Sequence, residues 1–272
     1  MAAEPFVGVI LAGGEGRRFG GDKLRALVDG EAAVARVAAA LRGAGAAEVY
    51  AATRSRERCR LYQALAGLDG CLFDPPLGCG GPGAALLAAA EAAEEGGWRR
   101  VLVAPGDAPW LEPWVLARLA ALAGGAEAAT VLHGGGFVES LLQLLDGGYL
   151  SGLVEPLRAL CGLRGELRAS DTLRLAPRLA LVGSGLLSPW AMSFAHINTR
   201  EALAARAARN PLGDGLVLLG EGRPRPLPRL ATRRLCAALG LEEALYRRLG
   251  LRQLERQAAR DAARVCGVEN GV

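Results

Sequence analysis

Three short apolar runs, residues 6–11, 48–53 and 100–104, each break off and give way to an alanine-rich stretch with helical periodicity. A fourth candidate strand covers 71–73, and the helical stretches are 32–41, 57–65, 84–94 and 113–122. Strand, helix, strand in this rhythm predicts an α/β fold, a mostly parallel sheet with helices on both faces. Ligands of such sheets bind beyond the carboxyl ends of the strands. The residues that directly follow each strand are therefore the first candidates for function. Further strands are expected at 128–132 and 178–182, and helices at 152–160 and 200–208.

After Asn210 the character changes. The stretch GDGLVLLGEGRPRPLPR is rich in Gly, Pro and Arg and reads as a linker with extended parts. The expected division is a main domain over 1–209, a linker over 210–228 and a basic helical extension over 229–272, with helices at 230–239 and 241–265. From 221 to 272 there are 11 Arg against 6 acidic residues, so the tail carries +5 and residues 1–220 carry −1 of the total +4. Such a tail is expected to pack as helices on the main domain or on a second subunit. Only Tyr246 is aromatic after residue 220, which argues against nucleic-acid binding through stacked bases.

Composition removes other classes. With 51% hydrophobic and 22% charged residues and no repeating triplet, the chain is globular rather than disordered or collagen-like. No apolar run reaches the roughly 18 residues a membrane span needs. An acid stands where a signal peptide has its basic region, so a cytoplasmic protein with no membrane partner is expected. The six cysteines, 59, 71, 79, 161, 236 and 266, contain no Cys-x-x-Cys, and the two histidines are too few for finger-like zinc spacing. Most are expected as buried thiols; a disulfide between two of them would fit a hyperthermophilic source.

The segment most charged with chemistry is LAGGEGRRFGGDK, residues 11–23. It follows the first strand and combines clustered glycines with arginines and Lys23, the one lysine among 32 cationic residues. Glycines let a backbone turn several N–H groups toward an anion. It is not a Walker loop, because no Gly-Lys-Ser/Thr occurs, and it misses the dinucleotide fingerprint because Phe19 stands where the third glycine belongs. In a chain that otherwise uses arginine, the surviving lysine marks a place for a compact, flexible point charge.

The whole string resembles the signature of nucleotidyltransferases that activate sugars, alditols and pterin cofactors. Within that superfamily the chain is most similar to the molybdenum cofactor guanylyltransferases, over about residues 6–203. Three later segments carry the likeness: FDPPLGCGGPGAALLAA with Asp74 and Gly81, VLVAPGDAPWL with Asp107, and SFAHINTREAL with His196 and Asn198. Departures are Gly83 for leucine, Ala85 for glycine, His196 for the first asparagine of Asn-x-Asn-Thr, and Arg200 for its proline. Thr53 falls where the family has Asn before Arg54, and Glu139 lies in a loosely matching stretch with Ser140 at the proline. His133, beside three glycines, reads as a surface residue, and the four tryptophans as packing residues.

The resemblance implies a three-layer Rossmann-like fold of the nucleotide-diphospho-sugar transferase type with a C-terminal helical extension. It also implies transfer of GMP from Mg2+-bound GTP to a molybdopterin-type acceptor. It assigns catalysis to Lys23, Arg18 and Asp107. Leu11, Ala12, Gly13, Gly14, Gly16, Lys23, Thr53, Asp74, Gly81 and Asp107 would bind the nucleotide, Asp107 the metal, and Asn198, His196 and Glu139 the acceptor. Competing expectations keep the chemistry but change the substrates: CTP with molybdopterin, GTP with adenosylcobinamide phosphate, or a sugar phosphate. Another class is a non-catalytic binder of cofactor or partner that docks through its basic tail.

Overall fold

The computed structural model describes residues 5–267 apart from 15, 17, 77, 206, 207, 209 and 229. Strand β1 (Phe6–Leu11) leads through the glycine-rich segment and a small hairpin, β2 (Leu27–Val28) and β3 (Glu31–Ala32), into α1 (Ala33–Gly43). The alternation continues with β4 (Ala46–Thr53), α2 (Arg56–Ala66), β5 (Gly70–Phe73), α3 (Gly83–Gly96), β6 (Arg100–Pro105) and α4 (Pro113–Leu122). Next, β7 (Ala128–His133) turns into the long β8 (Phe137–Asp146), followed by α5 (Gly147–Ser151), α6 (Val154–Arg164) and α7 (Ser170–Leu175). Finally come β9 (Leu179–Gly183), α8 (Ser184–Leu187), α9 (Arg200–Ala205), β10 (Leu216–Leu219), α10 (Thr232–Arg248) and α11 (Arg252–Cys266).

The main sheet has eight strands in the order β10-β9-β7-β8-β6-β1-β4-β5. β8 runs antiparallel to both of its neighbours, and β10 antiparallel to β9; the other pairings are parallel. The sheet is covered on both faces, and strand alternation sorts the side chains. Val9, Val101 and Val103 enter the core shared with α3, α5, α6 and α7. Ile10, Leu102 and Ala104 enter the core under α1, α2 and α4. Each such apolar side chain removed from water stabilises the fold by about 1.5–3 kcal/mol before entropy is counted. The expected α/β sheet is therefore present.

Three elements correct the sequence reading. Strand β8 was not expected, yet it lies between β6 and β7. In the segment expected as a linker, Leu216–Leu219 pair with Leu179–Val182 as an edge strand, and Arg223 reaches back to the Leu173, Arg174 and Ala176 carbonyls at 2.6, 2.9 and 2.7 Å. The break between the tail helices lies at residues 249–251 rather than at Gly240, which α10 runs through. Gly250 takes φ +68 there, a left-handed angle that costs glycine little. Helix α9 ends its described part at Ala205; the remainder expected to 208 runs into residues outside the description.

The tail packs on the main domain. Tyr246, Leu254 and Ala258 join the core that contains α3 and α6. Beside them, Arg174 is held by Glu242 of α10 through hydrogen bonds of 2.9 and 2.7 Å, and Asp261 of α11 accepts from Arg164, Arg168 and Arg174 at 2.9, 2.9 and 2.6 Å. The tail's buried acids face inward while Arg252, Arg256, Arg260 and Arg264 stay exposed.

The cysteine expectation is also corrected. All six are paired as disulfides, Cys59–Cys71, Cys79–Cys161 and Cys236–Cys266, with Cα separations of 6.0, 5.8 and 5.8 Å. They stitch α2 to β5, the loop before α3 to α6, and α10 to α11. Sequence separations of 12, 82 and 30 conceal pairings that only the packing of helix on strand and helix on helix creates. Among the described residues no helix is long and apolar enough to cross a membrane.

Candidate functional site

A cavity of about 770 Å3 opens at the carboxyl edge of the sheet. The strand order decides what meets there. Asp74 follows β5, Arg54 follows β4, the glycine loop follows β1, Asp107 follows β6, Phe137 and Glu139 open the oppositely directed β8, and His133 ends β7. All of them line the cavity.

The glycine loop is built to hold its shape. Gly16 has φ +63, and a Cβ there would lie 1.9 Å from the Gly21 carbonyl, so no other residue fits. Gly16 also accepts hydrogen bonds from the Phe19 and Gly20 N–H groups at 2.9 and 3.1 Å. Asp22 then caps the short turn that starts at Lys23: its carboxylate accepts from the Leu24 N–H at 3.1 Å and from the Tyr62 hydroxyl at 2.8 Å. That fixes the backbone from which Lys23 projects. Leu11, Gly13, Gly14, Gly16, Arg18 and Lys23 all line the cavity.

On β6, Gly106 lets the strand end approach β1 closely; its N–H donates to the Leu11 carbonyl at 3.2 Å, and a Cβ would press on Leu24 at 2.8 Å. Asp107 follows, only 6% exposed. One of its oxygens accepts from the Lys23 ammonium in a short contact, and the other lies 3.0 Å from His196 Nδ1. His196 Nε2 lies 3.1 Å from Glu139. The imidazole is thus clamped between two carboxylates, and the Ile197 N–H holds this segment to the Asp107 carbonyl at 2.8 Å. Burial alone would raise Asp107, but the His196 hydrogen bond and charge, with Lys23, pull it down to about 2. Burial likewise opposes charge on His196, and the two carboxylates overcome it and lift the imidazole to about 10. Lys23, Asp107, His196 and Glu139 form one alternating chain of cations and anions across the cavity floor.

The remaining candidates divide. Asp74 pairs with Arg54 at 2.9 Å through one oxygen, while its other oxygen is buried without a partner among the described residues. Gly81 has φ +99 and lies so close to the Leu167 carbonyl that a Cβ would meet it at 2.3 Å; Pro82 then stands at the start of α3. Asn198 lines the cavity beside His196, and Thr199 accepts from the Ala202 N–H at 3.1 Å, opening α9. Two candidates do not line it. Ala12 is buried and donates its N–H to Ala52 at 2.8 Å, and Thr53 is fully buried with its hydroxyl 3.5 Å from the Ser55 N–H. Each sits on the strand end behind the lining rather than in it.

Sequence reading also missed residues. His133 is 3% exposed and lines the cavity, contrary to the surface position expected for it. Its place at the end of a predicted strand was the available signal. Phe137 and Phe194 join the lining; Phe194 stands inside the segment SFAHINTREAL, but neither residue was singled out. Among the tryptophans, Trp190 is 60% exposed and stacks edge-on against Trp114 at 6.1 Å, so it is not a core residue.

A glycine loop after β1, a carboxylate after β6 and an antiparallel strand inserted beside it define a three-layer α/β domain that handles its ligand at the sheet's carboxyl edge. A family model described as the MobA-like NTP transferase domain matches residues 8–179, and the chain belongs to that family. A probable molybdenum cofactor guanylyltransferase from Opitutus terrae is 33% identical over 135 residues, which is 50% of this chain and 64% of the relative's length. The crystal structure of a molybdopterin-guanine dinucleotide biosynthesis protein A from Archaeoglobus fulgidus shares the fold. It superposes with a TM-score of 0.51 at 18% identity over 75% of this chain and 96% of its own.

Proposed function

We propose that the protein is a nucleotidyltransferase that moves GMP from GTP to the terminal phosphate of a molybdopterin-type acceptor and releases pyrophosphate. The observation that carries this reading is the meeting of Lys23, from the glycine loop, with Asp107, from the end of the neighbouring strand, on the floor of one cavity. The guanylyl preference and the acceptor rest on likeness to the Opitutus terrae relative.

In the reaction an acceptor phosphate oxygen forms a bond to the α-phosphorus while the bond from that phosphorus to the pyrophosphate oxygen breaks. A phosphate monoester has its second pKa near 6, so the nucleophile is already anionic near neutral pH and no general base is required. Positioning and positive charge are what the site must supply. The backbone of Gly13, Gly14 and Gly16 cradles phosphate oxygens, and Arg18 and Lys23 neutralise charge around the α-phosphate and the leaving group. Asp74, with one oxygen unpaired, offers an acceptor to a nucleoside hydroxyl or base N–H.

Magnesium is commonly held by one or two carboxylates together with substrate phosphates, and Asp107, whose two oxygens face Lys23 and His196, is the carboxylate that would hold it. Bound there, Mg2+ would supply charge neutralisation between phosphate oxygens. Asp107 meanwhile holds Lys23 and His196 in register, so the charges that meet the phosphates are set before substrate arrives.

A thermal-shift panel tests the reading. With magnesium, GTP should stabilise the protein more than CTP, ATP or UTP, and Asp107→Ala should weaken the shift. A tenfold loss of affinity corresponds to about 1.4 kcal/mol. No response to any nucleotide would count against a nucleotidyltransferase.

A further inference from the structure

Helices α10 and α11 lie beyond residue 179, where the family match ends, and no residue of either lines the cavity. The tail nevertheless reaches the strand that carries Glu139. Strand β8 joins β6 only through residues 143–146, so its opening residues have a sheet neighbour on one side alone. On that side β7 pairs with Phe137, Val138 and Glu139 and next with Gln143, which leaves Ser140, Leu141 and Leu142 as a bulge. Bulges re-aim side chains beside active sites. Here the bulge separates the three residues at the cavity from the well-paired body of β8.

A further hold on those three residues comes from α11. Gln253 accepts a hydrogen bond from the Val138 N–H at 3.1 Å. The Gly250 carbonyl, in the turn before α11, sits so close to Gly136 that a Cβ there would lie 1.7 Å from it. Val138, Leu251 and Leu254 share one buried core, so α11 cannot slide without moving the opening of the strand. One residue on, both oxygens of Glu139 are engaged: one accepts from the Leu141 N–H at 3.3 Å across the bulge, and the other lies 3.1 Å from His196 Nε2. His196 Nδ1 lies 3.0 Å from Asp107, whose second oxygen receives Lys23. A shift of the first residues of β8 therefore passes to the imidazole, and from it to Asp107.

We infer that Gln253 is a positioning residue of the transfer site: through the Val138 N–H it sets the place of Glu139, and so the orientation of His196 against Asp107. This rests on the proposed transfer at Asp107 and Lys23, and it makes the C-terminal extension part of the frame of that site. Gln257, one turn further along α11, supplies the comparison. It accepts from the Ser170 hydroxyl at 2.5 Å, and Ser170 lines no part of the cavity.

The test uses the full chain. Gln253→Met removes the accepting oxygen, Gln253→Glu keeps one, and Gln257→Met removes the neighbouring bond. Imidazole NMR reads the site without catalysis, because His133 and His196 are the only histidines; the signals missing from His196→Asn identify the second. In Gln253→Met the His196 ring signals should move, and kcat for GMP transfer should fall about tenfold while the KM for GTP stays within about twofold. Gln253→Glu should keep the wild-type kcat, and Gln257→Met should lower the thermal midpoint while leaving kcat and the His196 signals as they are. Unmoved His196 signals or an undiminished kcat in Gln253→Met overturns the positioning role, as does an equal loss in Gln253→Glu or Gln257→Met. A Gln253→Met chain that does not fold would make the bond structural and overturns it too. No transfer by the wild type strikes the proposed function instead, and the His196 signals then judge Gln253 alone.

Discussion

Lys23 owes its position to three neighbours that fix its backbone and its tip. Gly16 turns the loop, Asp22 and Tyr62 pin the turn from which the lysine springs, and Asp107 receives its ammonium. A guanidinium is planar and wider and cannot follow an oxygen as freely as an ammonium. Lys23→Arg should therefore lower turnover at least tenfold, a loss of about 1.4 kcal/mol of transition-state stabilisation, with an unchanged unfolding midpoint. Wild-type turnover in the purified variant would remove the lysine from the chemistry. Lys23 and Asp107 were legible from sequence because each follows a strand within a contiguous motif. The contact of His196 with both Asp107 and Glu139 was not, since it joins residues 89 and 57 positions apart. His133 failed for a related reason: three following glycines suggest exposure, whereas Phe137 and Phe194 pack against its ring and the Gly134 N–H donates to the Pro211 carbonyl.

Elements were legible where periodicity is local. Helix α4 was expected at 113–122 and is found at Pro113–Leu122. Strand β8 escaped because FVESLLQLLD does not alternate cleanly. Its pairing with β7 slips between Thr130 and Val131, where the Thr130 hydroxyl lies 2.6 Å from the Glu139 and Leu142 carbonyls. That irregularity breaks the period of two on which strand reading depends, and it sits beside the residue that meets His196. The tail was legible as helices but not as part of the core, because its anchor is a set of charges read from sequence as solvated. Glu242 and Asp261 are buried among Arg164, Arg168 and Arg174. Removing one partner of a buried ion pair typically costs about 3–5 kcal/mol because the other is left unpaired. Glu242→Ala should thus lower the denaturant midpoint by that much stability, whereas Arg256→Ala on the exposed face should change it little. Equal small effects would mean that the tail does not hold the domain together.

At the scale of the whole molecule, the order in which strands reach the carboxyl edge arranges the chemistry: Asp74, Arg54, the glycine loop, Asp107, Glu139 and then His133. In the proposed reaction the nucleotide would take the β5, β4 and β1 side and the acceptor the β8 and β7 side, with Asp107 between them. The local alternation of strand and helix made a mostly parallel sheet readable from sequence, whereas the order of its strands was not read. The reversal at β8 and the return of the chain through β10 did not show, because both depend on long-range pairing. The tail closes the far side of the same unit, with Gln253 of α11 accepting from the Val138 N–H at 3.1 Å, next to Glu139. Nucleotidyl transfer at Asp107 and Lys23 between two bound substrates can be followed by incubating the protein with Mg2+, molybdopterin and GTP labelled at the α-phosphate. Label should appear in the acceptor with one pyrophosphate released for each label transferred, and none with Asp107→Ala. Release of inorganic phosphate without labelled acceptor would contradict it.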